Sequence, residues 1–127
     1  MLQATPLSRD HTKLRLFPLA DQLVLDVYQI TSLLPDSERY GLQSQLRRAA
    51  VSVVVNIVEG CSRRSDRAYV QFLETSLGSA TETRYLLELT TRLSLLPSER
   101  AGDLQARYTE VIKATQKLIT TISGNLN

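Results

Sequence analysis

Apolar residues recur along this chain in alternating steps of four and three, the spacing that places side chains on one face of a helix. Leu16, Ala20, Leu23, Val27, Ile30 and Leu34 form the first such seam, with Pro18 in the opening turn, where its missing N–H costs nothing. Leu34-Pro35-Asp36-Ser37 interrupts it. A second seam runs through Leu42, Leu46, Ala49, Val53, Asn56 and Gly60, with Gly41 before it. Ser65 suits the N-cap of a third helix, and Asp66 suits the positive end of its dipole. That helix carries Tyr69, Phe72, Ser76, Thr83, Leu86 and Leu93 near one face, a seam rich in small and polar residues. Leu96-Pro97-Ser98 ends it, and Leu104, Tyr108, Val111, Thr115, Leu118 and Ile122 define a fourth. Ser123-Gly124-Asn125 suits a helix stop.

Local propensity opposes this pattern in one place. Val51-Ser52-Val53-Val54-Val55 is β-branched and favours a strand. Helix is preferred because the seam continues on both sides and no second strand exists to pair with this one. Between Ala49 and Val58 only Ser52 and Asn56 are polar, so a helix here is apolar around most of its circumference and needs cover on more than one side. The expectation is an all-α, antiparallel up-down-up-down four-helix bundle over residues 16–122, with an N-terminal arm at 1–15 and a tail at 123–127. The arm reads as loose through Thr12, with Pro6 and Ser8 in it. Leu33-Leu34-Pro35-Asp36-Ser37-Glu38-Arg39 echoes Leu95-Leu96-Pro97-Ser98-Glu99-Arg100, which fits two similar helical hairpins or the reuse of good turn chemistry.

Composition narrows the function classes. The 127 residues suit one domain, and 43% hydrophobic content is that of a globular chain. Only 6% are aromatic, with no Trp, which favours aliphatic helix packing over an aromatic-lined pocket. A net charge of +2 permits nucleic-acid contact without demanding it. One cysteine, Cys61, excludes an internal disulfide and a cysteine zinc site. With no secretion signal, this reads as a cytoplasmic protein. The Ala49–Val58 run is about half the length of a membrane span, so no membrane partner is expected.

Gln45-Leu46-Arg47-Arg48-Ala49-Ala50-Val51-Ser52 followed by Asn56-Ile57-Val58-Glu59-Gly60 resembles the ribosomal-RNA intervening-sequence protein family. Phe72-Leu73, Leu77-Gly78-Ser79 and Glu82 resemble that family's second signature, and Leu34-Pro35 and Tyr40-Gly41-Leu42 also fit. The resemblance covers about residues 16–122. Val54 and Val55 stand where the family commonly has Pro and a small polar residue, which removes a helix kink and adds apolar surface; Ser76 replaces a frequent Ala. The resemblance implies an antiparallel four-helix bundle in a ring-like homopentamer with no established enzymatic activity. Some members are encoded within intervening sequences of ribosomal RNA genes. Related bundle proteins serve reverse transcriptases of retroelements as accessory factors, using basic surface to bind nucleic acid.

Arg47, Arg48, Arg63, Arg64 and Arg67 are the candidate nucleic-acid contacts, because the guanidinium fork can hold two phosphate oxygens. Glu59 and Asp66 offset them locally, so structural pairing or solvation is the competing reading. No RNA-recognition signature or cluster of stacking aromatics supports sequence-specific readout. Asn56, on the second seam, is read as part of a structural polar network with Glu59 and Glu82, with Arg47 or Arg48 as counter-charges. Acid–base catalysis by the two carboxylates would need a pocket and perturbed pKa values. Gly78-Ser79-Ala80 suggests close helix packing. Val51, Val54, Val55 and Val58 form a second apolar face, expected to meet another copy of the chain. His11 lacks a nearby Cys in sequence, and Glu-x-x-His pairs are missing, so no metal and no cofactor is expected. Cys61 lies near Arg63 and Arg64, which could lower its pKa, but an inert residue at a helix end is the simpler reading. The favoured function is a non-enzymatic homo-oligomer contacting RNA or a nucleoprotein; the alternative is a protein-binding adaptor or regulatory module.

Overall fold

A computed structural model describes residues 9–124, which fold as four α-helices: α1 (Leu16–Thr31), α2 (Leu42–Cys61), α3 (Asp66–Arg92) and α4 (Ser98–Gly124). Short 3-10 turns at His11–Lys13 and Asp36–Glu38 precede α1 and α2, and no strand occurs among the described residues. The valine run is therefore helical. Its β-branched residues lose a few tenths of a kcal/mol each in a helix, whereas Val53 and Ile57 lose all contact with water. Full burial of such a side chain contributes about 1.5–3 kcal/mol, so packing overrides propensity.

Each helix packs on two others: α1 on α2 and α4, and α3 on α2 and α4. The α2–α3 contact is the most extensive. All six positions of the first seam are buried. In α2 the seam shifts. Asn56 is only half-buried, and the inward positions after Val53 are Ile57, Gly60 and Cys61. A helix of 3.6 residues per turn drifts against an alternating repeat that averages 3.5, and here the drift moves Asn56 off the core. In α3 the seam ends with Leu87 and Thr90, while Leu93, just past the helix, is exposed.

The polar residues of these seams are satisfied locally. Buried Thr31, Thr83, Thr90 and Thr115 each donate a hydroxyl to the carbonyl four residues earlier, at 2.6–2.9 Å. Ser76 Oγ instead donates across to the Val53 carbonyl of α2 at 2.7 Å. The Tyr108 hydroxyl is the buried side-chain group left without a partner among the described residues. Burial pushes its pKa well up. Between α1 and α4, Arg107 Nη2 donates to Asp26 at 2.6 Å.

Helix ends follow local chemistry. Ser65 Oγ accepts from Ala68 N at 3.1 Å, and Glu38 reaches from its 3-10 turn to accept from Leu42 N at 3.0 Å. After α3, Ser94 N donates to the Thr91 carbonyl and Leu95 N to the Thr90 carbonyl, a Schellman stop with Ser94 at φ 60°. The two echoing segments bury the same leucine, Leu34 and Leu96. They then diverge: Asp36–Glu38 makes a separate turn, whereas Ser98 opens α4 directly.

The arm is not loose from residue 9 onward. Asp10 accepts from both the backbone N and the hydroxyl of Thr12, Leu14 packs on the core, and Arg9 is tied to the α2–α3 connection. Pro6, Ser8 and the tail from Asn125 lie outside the described residues.

Gly78 does not mediate close packing. A Cβ there would meet nothing within 4 Å, whereas one on Gly60 would stand 3.0 Å from Phe72 Cβ and 3.1 Å from the Tyr69 ring. Gly78→Ala is therefore expected to stabilise the fold by about 0.4–1 kcal/mol, and Gly60→Ala to destabilise it, as urea unfolding would read. Because Ser94 adopts a left-handed conformation that costs a non-glycine residue about 1–2 kcal/mol, Ser94→Gly is expected to raise the thermal midpoint.

Candidate functional site

The five arginines singled out in the sequence do not form one patch. Arg47 and Arg48 lie in the second turn of α2, and Arg63 and Arg64 follow its end. About 20 Å of helix rise separates Arg48 from Cys61.

At the α2–α3 connection, Ser62 Oγ donates to the Glu59 carbonyl at 2.7 Å and Ser65 caps α3, which fixes both ends of a four-residue link. Arg63 pairs with Glu59 at 3.7 Å and lies 4.7 Å from the centre of the Phe72 ring. Arg9 comes from the N-terminal segment to donate to the Arg63 carbonyl and to Asp66, and stacks 5.3 Å from the Tyr69 ring centre. Sequence reading missed Arg9, because 54 residues separate it from Arg63. Both carboxylates of the corner are thus engaged. Arg64 and Arg67 are exposed and make no ion pair among the described residues.

At the α1–α2 corner, Arg47 is a structural residue. Its Nε donates to Thr31 Oγ1 at 2.9 Å, its Nη2 to the Tyr28 carbonyl at 3.2 Å, and its guanidinium lies 4.5 Å from the Tyr28 ring centre. It supplies a partner to the C-terminal turn of α1. Arg48 pairs with Glu82 of α3 at 3.3 Å, with both side chains largely in water, where such pairs contribute little. Arg39 and Tyr40, from the connection before α2, stand beside Tyr28, Arg47 and Arg48. The aromatic grouping not evident in the sequence thus arises once α1 and α2 pack together.

Asn56, Glu59 and Glu82 do not form a network. Glu59 turns to Arg63 and Glu82 to Arg48. Asn56 Nδ2 instead donates to the Ser52 carbonyl at 2.8 Å and Ser52 Oγ at 3.0 Å, and Ser52 shares a 2.8 Å hydrogen bond with Ser79 of α3. The polar contact between α2 and α3 is a serine pair, not a carboxylate cluster. Ala80 beside it is wholly buried. Val51, Val54 and Val58 are half-buried and Val55 is 43% exposed, so these four leave apolar surface in water. Cys61 is buried with its Sγ 3.8 Å from the Tyr69 hydroxyl. Burial pushes its thiol pKa up, opposite to the lowering that neighbouring arginines suggested. The His11 ring packs edge-on against Phe17. Among the described residues, no group of three His, Cys, Asp or Glu side chains could hold a metal ion, and no helix is long and apolar enough to cross a membrane.

The profile of the 23S rRNA-intervening sequence protein family matches residues 12–117. The chain belongs to that family. Its fold is similar to the crystal structure of a protein of unknown function from the S23 ribosomal protein family of Bacteroides thetaiotaomicron. The TM-score is 0.77 and the identity 22%, covering 83% of this chain and 95% of that one. No curated protein matches the chain. The resemblance residues of this family member fall mainly on α2 and α3, the pair with the largest mutual contact.

The arginines separate into two roles that stability measurements distinguish. Arg47→Ala removes charge-assisted hydrogen bonds and is expected to lower unfolding free energy by about 1–2 kcal/mol. Arg64→Ala and Arg67→Ala are expected to change it by less than about 0.5 kcal/mol in the same urea titration.

Proposed function

We propose that this protein is a non-enzymatic scaffold that contacts RNA or a ribonucleoprotein through phosphate, using Arg64 and Arg67 at the α2–α3 corner. The observation that carries this reading is that Glu59 and Asp66 are already paired with Arg63 and Arg9, leaving two exposed guanidiniums that make no ion pair among the described residues. An exposed guanidinium with no partner is poised to exchange counterions for phosphate, a sequence-independent attraction. The family's description, 23S rRNA-intervening sequence protein, supports an RNA setting. In this reading the protein is cytoplasmic.

The same proposal includes assembly. Links of four residues between α2 and α3 and five between α3 and α4, with each helix packed on its sequence neighbour, fit an antiparallel up-down-up-down bundle. The half-exposed Val51, Val54, Val55 and Val58 would meet a neighbouring copy in a ring, a homopentamer by family resemblance. Repetition around a ring would turn two free arginines per chain into a continuous basic rim.

The test is RNA binding across a salt series. Affinity should fall with salt, with a logarithmic slope of about 0.7 for each phosphate contacted on a single strand. Arg64→Ala/Arg67→Ala should reduce that slope. Binding that is absent or insensitive to salt would overturn the proposal, and light scattering on the same samples reads the ring.

A further inference from the structure

A cleft of about 600 Å³ lies at the α1–α2 corner, at the other end of α2 from Arg64. It is lined by Tyr28, Arg39, Tyr40, Gln43, Ser44, Arg47 and Arg48, with no carboxylate among them. The groove between α1 and α4 differs: there Asp26, Glu99 and Asp103 face Arg100 and Arg107. Charge in that groove is internally matched, whereas the cleft lining carries cations only, of which Arg48 is paired with Glu82 on α3.

Aromatic surface in the cleft is equally uneven. Tyr28 is held by its own helix and by the guanidinium of Arg47, itself fixed by hydrogen bonds to Thr31 and the Tyr28 carbonyl. Tyr40 is 90% exposed, which leaves a large ring in water with almost no contact from its own chain. Arg39 is exposed and makes no ion pair among the described residues. A flat ring and an exposed cation, mounted on a braced Arg–Tyr stack, suit a ligand that has both a planar face and a negative charge. Nucleotides combine the two. In a duplex the base faces are already stacked on each other, so only an unpaired nucleotide offers its face to Tyr40.

We propose that this cleft binds a single-stranded segment of nucleic acid, with one base stacked on Tyr40 and the adjoining phosphate held by Arg39, joined by Arg48 once its water-exposed pair with Glu82 opens. The inference rests on the RNA-contact reading above but assigns a second site with a different selectivity. The α2–α3 corner attracts phosphate of any strand, whereas the cleft distinguishes single strands from duplexes. Arg47 is a positioning residue here, because its guanidinium is committed to α1.

The experiment measures fluorescence anisotropy of a short labelled RNA strand, alone or annealed to its complement, with wild-type protein and variants. Wild type should prefer the single strand. Tyr40→Ala should weaken single-strand binding on the order of tenfold, leave duplex binding and the salt slope unchanged, and be rescued by Tyr40→Phe. Arg39→Ala should lower the single-strand salt slope by about 0.7. Arg64→Ala/Arg67→Ala should lower the slope for both probes yet keep the single-strand preference. Salt-dependent binding without any preference or Tyr40 effect would overturn the cleft and leave the basic corner standing. A Tyr40-dependent preference that survives an unaltered slope in Arg64→Ala/Arg67→Ala would do the reverse. A change of oligomeric mass in Tyr40→Ala would show that a second copy covers Tyr40, and would overturn the site as well.

Discussion

Close approach of α2 and α3 is the constraint on which the rest of the molecule depends. It is made possible by small residues: Gly60 under Tyr69 and Phe72, the Ser52–Ser79 pair, Ser76 bonded to the Val53 carbonyl, and wholly buried Ala80. Larger side chains would push the helices apart. The short contact also decides what happens at the corner. With Gly60 and Tyr69 fixed, only four residues remain between Cys61 and Asp66, and two of them are Arg63 and Arg64. Packing in the middle of the helix pair thus presents charge at its end.

A second consequence concerns polarity inside the core. An interior built with few aromatics draws on threonine and serine as spacers, and their hydroxyls would be costly if left unpaired. Here the helix backbone absorbs them: Thr31, Thr83, Thr90 and Thr115 each turn to the preceding turn's carbonyl. Thr31 does more, since its oxygen also accepts from Arg47 and so links a core position to the α1–α2 cleft. Tyr108, too large to bond back on its own helix, is the group this device does not satisfy.

Helix number and approximate extents were legible because the seams repeat over many turns. Leu16 to Leu34 needed no tertiary information, since each apolar step points the same way. Asn56 was misplaced because a regular four-three alternation ignores how far a real helix rotates over three turns. Gly78 was misread for a related reason: glycine in a helix signals either close approach or indifference, and only the neighbouring helix decides between them. The Asn56–Glu59–Glu82 network does not form because long side chains choose partners by reach, and each carboxylate finds an arginine nearer to hand, Glu59 meeting Arg63 and Glu82 meeting Arg48. Arg9 and the Tyr28–Tyr40 grouping depend on contacts between distant segments, which residue spacing does not encode.

Charge counted along a sequence therefore says little until each cation's commitments are known. Arg47, Arg63, Arg64 and Arg67 look equivalent in the chain, yet Arg47 braces a helix end, Arg63 is shared between a carboxylate and a ring, and the other two make no ion pair among the described residues. A guanidinium bound to its own fold has already lost water and side-chain freedom, so recruiting it to phosphate would first break those contacts. A free one brings no such debt and responds to salt as a mobile counter-charge. The candidate surface is accordingly smaller than the arginine count suggests. It is also divided between the two ends of α2, so that in the proposed reading one end attracts a polyanion while the other selects its strandedness.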